Sequence, residues 1–141
     1  MALTLDQARA IIAGTRAKGR DMGLKPLSVV VLDAGGHVLA FEREDGAAPG
    51  RFGIAQGKAY GAVMLGMAGR AQLARAEAQG FFMSAINGVY GGKVVPVPGG
   101  VLLRDGTGAV IGAIGVTGDT SDNDAEAALA GAAAAGIAAE A

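Results

Sequence analysis

From Val94 to Gly118 the chain reads VVPVPGGVLLRDGTGAVIGAIGVTG, and this stretch constrains the fold more than any other. Asp105-Gly106 joins two runs of β-type residues, Val101–Arg104 and Val110–Val116, as a hairpin turn does. The Pro98-Gly99-Gly100 corner ahead of them leaves backbone N–H groups uncovered by side chains, so another group can approach closely. A binding surface is expected here before anywhere else.

The rest of the chain supplies helices. Thr4-Leu5-Asp6-Gln7 has the capping-box pattern, and Leu5, Ala8, Ile11, Ile12 and Thr15 follow at helical spacing, which predicts a helix from about Leu5 to Met22. Gly23 suits its end and Pro26 cannot continue it. Leu27–Leu32 is a continuous aliphatic run, read as a strand buried on both faces. Asp33-Ala34-Gly35-Gly36 is a turn by composition. His37–Arg43 is a second strand, with Val38 and Ala40 on one face and Leu39, Phe41 and Arg43 on the other.

After a loop at Glu44–Gly50, helices are predicted from about Arg51 to Leu65 and Arg70 to Gly80, separated by Gly66-Met67-Ala68-Gly69. Phe81–Tyr90 suits a half-buried loop or a helical turn equally. Short strands are expected near Lys93–Val95, Gly100–Arg104 and Ala109–Thr117. A final helix begins close to Ser121, capped by Ser121 or Asp122, and the alanines of Ala125–Ala141 read as helix propensity. The order is α-β-β-α-α-β-β-β-α. Hairpin-grouped strands and segregated helices make an α+β fold on an antiparallel five-stranded sheet, a single domain over residues 1–141.

Composition removes whole classes of chemistry. The 141 residues include no cysteine and one histidine, which excludes thiolate nucleophiles, disulfides, cysteine-ligated metals and multi-histidine sites, so no metal centre is expected. A net charge of -1 with scattered basic residues gives no footprint for nucleic acid or anionic lipid. The 25 glycines interrupt every apolar run before it could span a bilayer, so no membrane partner is expected. The N-terminus lacks a secretory pattern, and a cytoplasmic location is the expectation. An apolar fraction of 51% in so short a chain points to surplus apolar surface, hence to a homo-oligomer.

Few residues remain to carry chemistry. His37 is the only side chain that changes charge near neutral pH unaided, although a solvated residue after a Gly-Gly turn is ordinary. Arg43, Asp45 and Lys58 could together bind an anionic substrate or relay a proton; the plain alternative is a solvated loop with surface ion pairs. Lys58 sits among small and apolar helix neighbours, where a lysine either snorkels or is held by a carboxylate. The Gly91-Gly92 and Gly99-Gly100 pairs bracket two prolines, a shaped connection that suits either the wall of a cleft for a flat apolar ligand or a sheet corner. Asp122 and Asp124 either cap the last helix or point into a cleft.

SVVVLDAGGHVLAF from Ser28, then Asp45-Gly46-Ala47, Ile54-Ala55 with Lys58-Ala59, Pro98-Gly99-Gly100-Val101 and VIGAIGV from Val110, resemble the GlcG/HbpS-like haem-binding (haem-degrading) domain family over essentially the whole chain. That domain is similar to the C-terminal part of propanediol-utilisation corrinoid adenosyltransferases. The resemblance implies a profilin-like fold, assembly from dimer to octamer, and haem or corrinoid (cobalamin) as cofactor. It implies a histidine ligand in the first helix, yet Leu5–Met22 contains none, which leaves Tyr60, Tyr90, Met64, Met67 and His37 as substitutes.

Two functional readings follow. The first is a cytoplasmic small-molecule-binding protein, with Arg43, Lys58, Pro98, Gly99, Gly100 and His37 around the ligand. The second is a small isomerase, tautomerase or hydrolase-like enzyme of organic-acid or aromatic catabolism, with Lys58 and Asp45 or Asp124 as its acid and base.

Overall fold

A computed structural model describes residues 2–141 and shows one antiparallel sheet covered by helices on both faces. The elements in chain order are α1 (Leu5–Asp21), β1 (Ser28–Asp33), β2 (Val38–Arg43), α2 (Arg51–Leu65), α3 (Gly69–Ala78), α4 (Gly80–Val89), β3 (Gly100–Arg104), β4 (Val110–Thr117), α5 (Ser121–Ala134) and β5 (Ala138–Glu140). The five strands lie in the order β2-β1-β4-β3-β5, every neighbour antiparallel. The α+β class and the five-stranded antiparallel sheet read from the sequence are both present.

Helix α1 starts as its capping box dictates, with the Gln7 N–H donating to Thr4 Oγ1 and the Thr4 N–H to Gln7 Oε1. Its buried side, Ala8, Ile11 and Ile12, joins Ala127, Ala128 and Ala132 of α5 over Val29, Val31, Val101, Leu103, Ile114 and Val116 of the sheet. The opposite sheet face carries Val30, Leu32, Leu102 and Ala113 under Ala55, Ala59 and Ala62 of α2. Strand β1 feeds both layers, which is why its aliphatic run does not alternate.

Helix α2 lies very close to the sheet. A methyl group on Gly115 would meet the Ala55 carbonyl oxygen, and one on Gly100 the Lys58 carbonyl oxygen, so the helix backbone rests on strand backbone.

Four expectations need correction. No strand forms at Lys93–Val95: the Val94 N–H donates to Asn87 Oδ1 and the Val95 N–H to the Gly57 carbonyl, so this backbone is tied to α4 and α2. Pro96 and Pro98, lacking N–H groups, could not continue a ladder. The fifth strand is instead β5, paired to β3 at the sheet edge. The alanine-rich tail therefore leaves the helix at Ala134, turning through Gly136 at φ 70° with the Ile137 N–H bonded to the Ala132 carbonyl.

The ambiguous Phe81–Tyr90 stretch is helix α4, separated from α3 by Gln79 at φ -141°. Alternation along β2 fails because Val31 pairs with Ala40 and Leu32 with Val38, leaving Leu39 as an extra residue. Leu39 then packs on the α1/α5 side while Phe41 packs on the α2 side, so the two do not share a face. The cap of α5 is Thr120, whose Oγ1 accepts the Asn123 N–H, rather than Ser121 or Asp122.

Candidate functional site

Three groups of polar side chains are candidates. The first is buried. Lys58, 3% exposed, and Asp124, 1% exposed, meet with Nζ 3.0 Å from Oδ2. Lys58 Nζ also donates to the Val116 carbonyl at 3.0 Å, and Asp124 Oδ1 accepts the Asp119 N–H at 3.0 Å. Burial is the main influence on each partner: it pushes the lysine below its ordinary value and the carboxyl above its own, while their mutual attraction opposes both shifts. The pair joins α2, the end of β4 and the start of α5.

Gly99 shows why that corner is glycine. At φ +113° it sits where side chains are rarely found, and a methyl there would lie 2.6 Å from the Val116 oxygen and 3.0 Å from Lys58 Nζ. The Pro98-Gly99-Gly100 corner thus roofs the Lys58 ammonium, and all three residues are buried.

The second group surrounds the β1–β2 turn. Asp33 Oδ1 accepts the Gly35 and His37 N–H groups, which folds the turn and leaves the His37 ring exposed. The Tyr60 ring and Met64 Cε lie against Gly36, the residue before His37. Tyr90 meets Tyr60 edge-on at 6.1 Å between centroids, and Lys93 Nζ stands 5.1 Å from the Tyr60 centroid. An imidazole, a thioether and two phenols, four of the five substitutes named from the sequence, therefore share one corner. Met67 lies apart, in the α2–α3 link.

The third group lies at the far end of β2. Arg43 and Asp45 are exposed there, and Asp45 turns toward a shallow cleft with Arg16, Arg20 and Glu44. The structure brings Lys58 together with Asp124 and not with Asp45. Arg51, at the first position of α2, donates from Nη1 to Thr117 Oγ1 at 2.8 Å. Arg51, Thr117 and Ser28 were not singled out from the sequence; the usable signal was a helix start with no acidic residue in its first turn.

The connection from Val94 to Pro96 walls a cleft of about 220 Å³ with Ala76, Met83, Ser84 and Asn87 of α3 and α4. Helix α4 also leaves Phe81 and Val89 largely exposed, at 77% and 75%.

Comparison with known proteins places this architecture. No curated protein sequence matches the chain. The crystal structure of a PduOC:heme complex shares the fold, at 23% identity and a TM-score of 0.87, covering 98% of each chain. A double mutant of Streptomyces reticuli HbpS is 30% identical, with a TM-score of 0.80 over 94% of this chain and 86% of that one. Klebsiella pneumoniae protein ORFY is 24% identical, with a TM-score of 0.80 over 95% of this chain and 90% of that one. The model of the HbpS-like haem degrading proteins matches residues 3–133, and with nearly the whole chain so covered, this protein belongs to that family.

Proposed function

We propose that this chain binds haem, held at the corner formed by the β1–β2 turn, α2 and the end of α4. The observation that carries this reading is that Tyr60 and Met64 lie against Gly36 and the His37 ring against Gly35 of the same glycine turn, in a member of a haem-degrading family. These side chains match haem in kind: phenol, thioether and imidazole all serve as axial ligands. Lys93, exposed beside Tyr60, offers a counter-charge to a propionate. Exposed Val89 and half-buried Tyr90 offer apolar contact to the ring edge. When bound, the iron supplies redox chemistry and a strong visible band; the chain supplies ligand, counter-charge and apolar contact.

The clefts of one copy, about 220 to 300 Å³, are too small to enclose a porphyrin. A second copy covering the exposed ring face is therefore part of the reading, and the expected oligomer has a function in it. The enzyme reading gains nothing from the geometry, because the Lys58 and Asp124 groups are sealed from solvent. Among the described residues no helix is long and apolar enough to cross a membrane.

Haemin titration followed in the Soret region tests this, with cobalamin as a separate arm for a corrinoid ligand. A saturable haemin shift is expected, weakened at least tenfold or spectrally altered by Tyr60→Phe, Met64→Leu or His37→Ala. No saturable shift overturns the haem reading. A shift indifferent to all three variants overturns the placement. Sedimentation velocity on the same samples is expected to show a species larger than one chain.

A further inference from the structure

We infer that the start of α2 forms a separate binding site for a small carboxylate, built from Arg43 and Arg51 over the hydroxyls of Ser28 and Thr117. Four observations place these groups together. Ser28 pairs with Arg43 on one side and with Thr117 on the other, so the three occupy one row across β2, β1 and β4. All three face α2: Ser28 shares the strand face of Val30 and Leu32, Thr117 that of Ala113 and Gly115, and Arg43 that of Phe41. The first turn of α2 covers the row, with Arg51 bonded to Thr117 at 2.8 Å and the Phe52 ring 4.7 Å from Phe41. Beneath that turn the Ser28 hydroxyl is fully buried with no hydrogen-bond partner.

The electrostatics of the corner are one-sided. Helix α2 runs for 15 residues from an N-cap, Gly50, that provides no side-chain acceptor; the Arg51 N–H is taken by the Ala48 carbonyl, which leaves the Phe52 and Gly53 N–H groups of the first turn for an anion. Among the described residues Arg43 has no carboxylate partner, and the Arg51 side chain bonds only the Thr117 hydroxyl. Asp45 lines the cleft with Arg16 and Arg20, and the other nearby acids are engaged by partners of their own. Glu44 takes Arg16 and the Leu27 N–H, Asp124 takes Lys58, and Asp119 takes the Lys25 N–H and Asn123. Two guanidinium forks and the Phe52 and Gly53 amides match a planar carboxylate group, which accepts bidentate arginine, with the buried Ser28 hydroxyl lying beneath them.

This site is distinct from the proposed haem corner. His37 and Arg43 stand at opposite ends of β2, about 20 Å apart for six extended residues, further than a porphyrin's carboxylates lie from its iron. The ligand is thus a free small acid rather than a propionate of haem held at Tyr60.

The test titrates the full chain with succinate and, as an uncharged control, succinamide, following backbone amide and arginine Nε–H resonances. Succinate alone is expected to shift the amides of Phe52, Gly53 and Ile54 saturably. Arg43→Gln and Arg51→Gln should each weaken it about tenfold, the loss expected for one charge-assisted pair. Ser28→Ala, with far-UV circular dichroism confirming the fold, should weaken it less.

A second arm compares haemin with its dimethyl ester. Equal binding of the two, unaffected by the arginine variants, supports a free acid as ligand. A tenfold preference for haemin that vanishes in Arg43→Gln supports the carboxylate site but assigns it to a propionate. No saturable shift with succinate, together with indifference of haemin to esterification and to both variants, overturns the inference. Failure of haemin to bind at all overturns the haem reading and leaves the succinate result standing by itself.

Discussion

At Lys58 and Asp124 one pair of side chains joins three elements, and what happens when one partner is removed follows from burial. Lys58→Met leaves the Asp124 carboxylate, 1% exposed, without its cation, and a stability loss of about 3–5 kcal/mol is expected in urea unfolding. The double variant Lys58→Met/Asp124→Leu should recover much of it, because no charge is then stranded. A double variant no more stable than Lys58→Met alone would overturn this and mean that the pair is net stabilising. Gly99→Ala tests the roof of the same pair. With φ +113° and the Val116 oxygen 2.6 Å from the new methyl, it should cost about 1–3 kcal/mol by the same measurement.

Between elements, the contact of α1 against α5 depends on residue size. A methyl on Gly14 would lie 2.7 Å from Ala134 Cβ, and one on Gly131 would strike Thr15 Oγ1 and the Ile11 carbonyl oxygen. Alanine at an ordinary helix position gains up to about 1 kcal/mol over glycine, but overpacking at Gly131 costs about 1–3 kcal/mol. Gly131→Ala is therefore expected to destabilise, whereas Gly53→Ala in α2, with open space around its methyl, should stabilise or change little. A differential scanning experiment on both variants checks the sign. The Thr120 cap of α5 offers a smaller effect, with Thr120→Ala expected to lose about 1 kcal/mol.

Across the whole molecule, acid should act through a tie that spans most of the chain. Asp119 accepts the Lys25 N–H, 94 residues away in sequence, together with the Thr120 N–H and Asn123 Nδ2. These bonds, the one from Asn123 foremost, hold its carboxyl from the ordinary 3.8 down to about 2. Because the folded value lies below the unfolded one, this contribution is fully present above about pH 4 and disappears as pH falls toward 2. Urea midpoints measured from pH 5 to pH 2 should converge for the natural chain and Asp119→Asn at the acid end and separate at the neutral end. Coincident curves would show that the tie contributes nothing.

Local chemistry was legible in the residues themselves. The capping box of α1, the Asp33–Gly36 turn and the Asp105-Gly106 hairpin all formed where the sequence placed them, since each depends only on neighbours within a few residues. Resemblance across several motifs carried the family. Three-dimensional packing decided the rest. Whether Lys58 would meet Asp45 or Asp124 depended on where α5 begins relative to α2, a distance of 66 residues along the chain that no spacing rule encodes. The row of Arg43, Ser28 and Thr117 exists only because three strands pair in one register, and a single extra residue at Leu39 changed which side chains share a face along β2. Residues 138–140 became a strand rather than more helix because β3 had an unpaired edge, and backbone groups at an edge bond to whatever chain can reach them.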